Sequence, residues 1–372
     1  MRNIILSLIL VIHLVLVGCS GTKEVQFLAY VVGLGIDYID DEYQVILQFL
    51  DFSNVAKTEQ GKANESIPVW LAKGSGNTVE TAIEEIYKNI QIQVNYDQLN
   101  LFLLGEGILE RNLQETLQSL VSNFNVRLTG WVYGTNVDLE NVFTAKMPFQ
   151  YPYSISRMNQ PQDMQHQNST IPPITFRELL YMYNEKTKTM LIPSISLEDQ
   201  VILQNKKGII TTYISGAYLV KNQTFLGWLS ENDLYGFIQV NEASRRNITV
   251  IDVANTLSAI EVLKPHTKLV MKKEGYVLTS QIGVLVRESI EGLNLNKIKE
   301  KVSENIKKDV MNSYQKGRNL GADIFNLEDH AFRHHYDDWN ATFKHQSVPE
   351  LLEVEINIKP VRSYDKLREE EL

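Results

Sequence analysis

The chain has 372 residues, 44% of them hydrophobic, and its 36 basic and 45 acidic side chains give a formal charge of −9. This length exceeds what one hydrophobic core serves and points to two or three domains. The acidic balance speaks against a nucleic-acid binder and against overall attraction to anionic headgroups, and the single cysteine, Cys19, leaves no partner for an internal disulfide.

The first element is an apolar run from Ile4 to Val17, preceded by Arg2 and followed by Gly18 and Cys19. Charge, apolar stretch and small residue stand in the order of an export signal. The run is shorter than the roughly 20 residues that span a bilayer, so removal is expected rather than retention. Leu16-Val17-Gly18-Cys19 looks like the lipobox of bacterial lipoproteins. That resemblance implies a covalent diacylglycerol on Cys19 and cleavage between Gly18 and Cys19. Two acyl chains on one residue hold stably where a single chain holds marginally. Residues 1–18 are thus expected to be a signal and residues 19–26 a lipidated tether, with the mature body outside a membrane. A lipidated Cys19 would not serve as a nucleophile or a zinc ligand.

Beyond the tether, Ala29 to Asp37 reads as a buried strand and Tyr43 to Phe52 as a half-buried one, with Val45, Leu47 and Phe49 on one face and a hairpin turn across Tyr38 to Glu42. A strand at Val69–Ala72 leads through Gly74-Ser75-Gly76 to a helix whose stripe is Val79, Ala82, Ile83, Ile86 and Ile90, with Asn77 and Glu80 as capping box. The pattern repeats as strand Leu99–Leu104, glycine turn and helix Leu109–Val121, and Trp131–Tyr133 adds a strand. Gln150 to Pro173 is polar, proline-bearing and aperiodic, and reads as a linker or mobile loop. Helix Thr175–Tyr183, strands at 190–197, 209–220 and 224–229, a helical stretch at 231–240 and a strand at 247–253 form a second unit. Strands near 267–271 and 276–286 open the last unit. Its long helix, Leu295–Tyr314, spaces Ile298, Val302, Ile306 and Val310 on one face, and its closing strand, Leu352–Ile358, alternates. The expected fold class is α+β: three consecutive mixed α/β domains at 27–148, 149–255 (linker included) and 256–372, each a β-sheet with packed helices.

No catalytic constellation stands out. Gly74-Ser75-Gly76 lacks the Gly-Lys-Ser/Thr ending of a P-loop and reads as turn chemistry. His330 and His334 share a helix face at i and i+4, near Asp337 and Asp338, which is a pattern for a divalent metal. It lacks the Glu of His-Glu-x-x-His and reads as solvated surface, so no metal is expected. Phe225, Trp228 and Tyr235 read as core, and the lysines at 297, 299, 301, 307 and 308 as a solvated helix face.

Several separated segments together resemble the Ger(x)C proteins, the lipoprotein C subunits of spore germinant receptors. They are the lipobox at Cys19, Gly33-Leu34-Gly35-Ile36-Asp37, Gly216-Ala217-Tyr218-Leu219-Val220, Gly227-Trp228-Leu229, Asp323-Ile324-Phe325, Trp339 and the alternating last strand. Two departures stand out: Ser20-Gly21 replaces the usual Trp-Asp after the cysteine, and the stretch from Asp323 to Trp339 is shortened and His-rich. The resemblance implies a non-enzymatic receptor subunit without cofactors other than its lipid. It implies residence on the outer face of the inner spore membrane beside two polytopic partners, the A and B subunits. The signature residues Gly35, Asp37, Gly216, Gly227, Trp228, Leu229, Asp323, Phe325 and Trp339 are expected to be structural. The competing class is a lipid-anchored solute-binding protein that captures a nutrient directly.

Overall fold

The computed structural model describes residues 28–50, 68–123, 126–151, 153–253, 256–286, 295–344 and 348–363. The expected signal, Gly18, Cys19 and the tether lie outside them.

Strands β1 (Leu28–Ile39) and β2 (Glu42–Phe49) form the expected hairpin. Asp40 and Asp41, at φ 51° and 63°, make a left-handed two-residue turn whose twist suits antiparallel strands, and aspartate tolerates that region better than most residues. Strand β3 (Trp70–Gly76) pairs with β2 and runs through the Gly-Ser-Gly segment, so those glycines are strand and not loop. The reason is close packing: a Cβ on Gly74 would run into the backbone of Ala82 in helix α1 (Val79–Asn89). Val79, Ala82, Ile83 and Ile86 of the α1 stripe are buried as expected and Ile90, partly buried, caps the helix end, while the capping box is one residue later, with Thr78 and Thr81 exchanging bonds.

Strand β4 (Gln93–Asn95) pairs with β1, and β5 (Leu101–Gly105) lies parallel to β1 at the sheet centre, buried on both faces. A π-helical turn, Ile108–Asn112, leads into α2 (Leu113–Asn123). Strand β6 (Trp131–Thr135) and α3 (Leu139–Thr144) follow. Then come a short helix α4 (Pro161–Gln165), β7 (Ile174–Thr175), α5 (Phe176–Tyr183), β8 (Thr189–Glu198), the small hairpin β9 (Leu203–Gln204) and β10 (Lys207–Gly208), β11 (Thr211–Lys221) and β12 (Thr224–Ser230).

The architecture is α+β, but the sheets divide the chain differently from the three expected units. Apart from the separate β9–β10 hairpin, the strands from 28 to 230 belong to one ten-stranded sheet in the order β12-β11-β8-β6-β5-β1-β2-β3, with β4 on β1 and β7 on β6. The joint between the first two expected units is the parallel step from β6 to β8 at Gly134 and Ser194. One face packs α1, α2 and α5 around Leu34, Phe102 and Tyr218; the other packs α3 around Ile46, Leu103 and Ile195. The stretch read as a mobile linker is part of this second core, because Met158 and Ile171 bury completely there. Those two apolar residues, too far apart to show a period, fasten it together with the Tyr133 hydroxyl on the Met158 carbonyl and the Ser169 bonds to Arg245 and Arg246.

After α6 (Tyr235–Val240), strands β13 (Arg246–Val253), β14 (Thr256–Met271), β15 (Tyr276–Val286) and β16 (Leu351–Ser363) form a separate four-stranded sheet. Strand β13, placed by sequence in the second unit, pairs with β14 throughout and so belongs to the last. The long helix α7 (Leu295–Asn319) lays Ile298, Val302, Ile306 and Val310 on this sheet, each at most 1% exposed. Each buried aliphatic contributes about 1.5–3 kcal/mol.

Candidate functional site

The signature residues gather in two places. Gly33 and Gly35 on β1 leave room for the Phe143 ring of α3, which a Cβ at either position would strike. Asp37, at the end of the same strand, turns its carboxylate to the backbone N–H groups of Tyr38, Gly107 and Ile108. It thereby satisfies donors at the start of the helical segment that leads into α2. Burial raises its pKa and those N–H groups oppose the rise. The close approach also explains Gly105 and Gly107, since side chains there would occupy the space of Asp37 and of the Tyr38 carbonyl.

The second gathering joins the two sheets. Helix α8 (Leu327–His334) follows α7 across a turn holding Asp323, Phe325 and Asn326. Asn326, left-handed at φ 54°, accepts a bond from the Thr189 N–H of β8 at 2.8 Å. Lys221, at the end of β11, donates to Glu328 at 2.5 Å, and both side chains are nearly buried. The other Glu328 oxygen accepts from the Trp339 indole N–H at 3.2 Å. Asp329 receives the Thr187 hydroxyl at 3.0 Å and the guanidinium of Arg333, which also reaches Glu185 and Tyr181. Asp323 is buried; one oxygen accepts the Glu328 N–H at 2.7 Å and the other has no partner among the described residues. Burial pushes its pKa up to about 6 against the bonds it accepts.

Gly216 sits where β11 slips register, with no space for a Cβ beside the Leu229 carbonyl. Gly227, at φ 134°, bends β12 past Leu320 and needs the freedom of glycine. Leu229 is core, and Phe325 packs on Phe237 at 6.0 Å between ring centres. Trp228 is a correction: on the edge strand β12, opposite the buried Tyr218, it is 41% exposed, and of the three aromatic residues read as core only Phe225 packs against a core cluster.

The histidine cluster has a structural use. His330 packs edge-on against Tyr276 and faces its hydroxyl at 3.4 Å, with burial lowering its pKa. His334 stacks at 4.8 Å on His330, while Asp337 and Asp338 are exposed. Among the described residues no three His, Cys, Asp or Glu side chains are placed to hold a metal ion. No described helix is long and apolar enough to cross a membrane.

One feature that sequence reading missed is a cleft of about 610 Å³ between the 144–153 segment and the β9–β10 hairpin, bounded also by Val69. Met147, Phe149, Tyr151 and Leu203 line it with Lys146 and Gln204. The signal was present in Phe149, Tyr151, Val201 and Leu203, apolar or aromatic residues in stretches without period, at the start of the unit that opens with the linker and in the gap between the strands at 190–197 and 209–220.

Residues 21–197 match the spore germination protein N-terminal domain, and residues 215–360 the spore germination B3/GerAC-like C-terminal domain. Spore germination protein KC of Bacillus subtilis (strain 168) is 21% identical over 94% of this chain and 93% of its own length. The putative spore germination protein YfkR of the same organism is 20% identical over 87% and 86%. The crystal structure of the GerBC protein shares the fold, with a TM-score of 0.50 at 17% identity over 89% of this chain and 97% of that one. Two consecutive family domains spanning nearly the whole chain establish that it is a spore germination protein of the Ger(x)C family.

Proposed function

We propose that this chain is the C subunit of a spore germinant receptor: a non-enzymatic docking body, lipid-anchored through Cys19 on the outer face of the inner spore membrane and working beside polytopic A and B subunits in nutrient-triggered germination. The observation that carries it is the order of parts. The Leu16-Val17-Gly18-Cys19 tetrad stands directly before two germination-protein domains that run in sequence to residue 360. The titratable groups support a body without chemistry of its own. Asp37, Glu328 and Asp329 are each engaged in fastening one element to another, and Asp329 divides its oxygens between the buried Thr187 hydroxyl and the Arg333 guanidinium.

The test is a Cys19→Ala strain. The protein leaves the membrane fraction of spores and nutrient germination slows severely, while purification of the unaltered protein from spore membranes brings two polytopic partners with it. Normal germination with the protein free of the membrane contradicts the anchor, and purification without partners contradicts the receptor. Direct nutrient capture is the other reading, since the cleft has the size of a small-molecule site. Its walls are mainly apolar, with Thr144, Lys146 and Gln204 as the non-aromatic polar residues, whereas orientation of a polar nutrient needs convergent polar groups. Calorimetry of the mature chain with amino acids and sugars separates the two: docking predicts no heat of binding.

A further inference from the structure

From the cleft and its rim we infer a membrane-contact surface: the β9–β10 hairpin and the Phe149 loop insert their apolar side chains into the headgroup region of the bilayer to which the chain is tethered. The inference rests on the lipid-anchor reading for its orientation, and on three observations of its own.

The first is exposure without a folding reason. Phe149 is 87% exposed, Val201 77% and Leu203 60%, and Tyr151 stands beside Phe149 with the ring centres 6.4 Å apart. These side chains protrude around the cleft mouth instead of lining a closed cavity. Phe149 is also held at φ 62°, a left-handed conformation that disfavours side chains other than those of glycine, asparagine and aspartate. A bulky ring in that conformation, pointing into water, gains the fold nothing. Clusters of protruding apolar residues of this kind mark contact sites, and a bilayer interface accepts them without a complementary shape.

The second is the company they keep. The hairpin turns at Asn205 and Lys206, and Lys206, Lys207 and Lys146 place three cations at the tip and in the cleft of a chain whose formal charge is −9. Aromatic and aliphatic groups with lysines at their edge are the composition of interfacial anchors, in which long cationic stems reach the headgroups. Glu198 spends its carboxylate on the N–H groups of Asp199 and Gln200 at the hairpin base, away from the tip.

The third is where the chain enters the body. Val31 of β1 pairs with Phe49, and Phe49 with Trp70, the neighbour of the cleft residue Val69. Val69 therefore brings one wall of the cleft within two strand spacings, about 10 Å, of Val31, while the β9–β10 hairpin leaves from the far end of β8, which runs parallel to β1 through β6 and β5. Residues 19–27 span at most about 30 Å, so an anchor at Cys19 keeps the Val69 wall of the cleft within about 40 Å of the bilayer.

The test uses the full mature chain as Cys19→Ser, so that no lipid contributes, with vesicles of phosphatidylglycerol and phosphatidylcholine in equal parts. The chain sediments with the vesicles, and Phe149→Ser with Leu203→Ser lowers its partition about tenfold or more. Both substituted positions are exposed, and unchanged circular dichroism and melting temperature exclude a folding defect. A thiol at Phe149→Cys, carrying an environment-sensitive dye, shifts to the blue and is quenched from the lipid phase; one at Glu300→Cys on α7 does neither. Absence of vesicle binding, equal binding by the doubly substituted chain, or equal quenching at both thiols overturns the proposal. So does a blue shift without lipid quenching, which with a doubled mass in solution assigns the surface to a second copy of the chain. The anchor is read separately, from whether Cys19 of the unsubstituted protein taken from spore membranes accepts the same dye: uptake refutes lipidation and leaves the vesicle result standing by itself.

Discussion

At the joint between the sheets Glu328 is 7% exposed and both its oxygens are taken, by Lys221 and by Trp339; at the cleft Phe149 is 87% exposed and leans on Tyr151 alone among the rings of the described residues. The first region is built from residues far apart in the chain that satisfy one another inside the protein. The second sets the 144–153 segment against the β9–β10 hairpin and leaves apolar area of both to solvent. Signature residues fall in the first kind of region, with Trp228 as the exception. In this molecule the family pattern therefore describes how the elements are fastened, within the first sheet at Gly35, Asp37 and Gly216 and between the two sheets at Asp323 and Trp339.

Removing a partner at the joint has the largest expected effect. Glu328→Ala removes the carboxylate that faces the nearly buried Lys221 ammonium and strips Trp339 of its acceptor, a loss of about 3–5 kcal/mol in urea unfolding. A loss below about 1 kcal/mol in that measurement would place the joint among ordinary surface pairs.

Asp323 gives the comparison a pH dependence. Its pKa rises from 3.8 to about 6 in the folded chain, so between those values the folded state holds a proton that the unfolded state releases. The resulting stability is complete below about pH 4 and is lost as pH rises through about 6, a change on the order of 3 kcal/mol. Asp323→Asn keeps an acceptor for the Glu328 N–H and cannot ionise. Urea midpoints at pH 4 and pH 7 are expected to diverge between the two proteins, with the native chain losing ground at the higher pH. A constant difference across that window contradicts the assignment.

Gly236→Ala tests the packing beside the joint, where a Cβ would meet the backbone of Asp309 and Val310 as α6 crosses α7. About 1–3 kcal/mol of destabilisation is expected from overpacking, read as a lower melting temperature. Phe149→Ser with Leu203→Ser sits at the other extreme, with stability unchanged within about 0.5 kcal/mol. A clear drop in melting temperature there would mean that the cleft is closed in the folded protein and that the contrast fails.

What could be read in the sequence were the elements whose reasons are local. The Asp40-Asp41 turn, the α1 stripe and the four-residue spacing from Ile298 to Val310 each carry their explanation within a dozen residues. The class, α+β, and the family order of signatures could be read as well. What could not was anything decided by distant partners. Gly134 and Ser194 merge two expected sheets into one, and β13 goes to the last sheet because β14 pairs with it. Lys221 and Glu328, 107 positions apart, meet only when both sheets are in place. The cap of α1 moved from Asn77 to Thr78 because Thr81 supplies the reciprocal bond, a choice between adjacent residues that composition does not settle. Met158 and Ile171 help hold the 150–173 stretch to the sheet, two apolar side chains too few to make a pattern.

Hydrogen exchange of the mature chain, alone and in spore membranes, tests the contrast most directly. The account predicts that amides around 323–334 exchange slowly in both states and that added protection in membranes is concentrated in 145–151 and 201–210. Fast exchange at 323–334 in the isolated chain, becoming slow only in membranes, would contradict it, because the joint would then be the contact surface and the cleft a bystander.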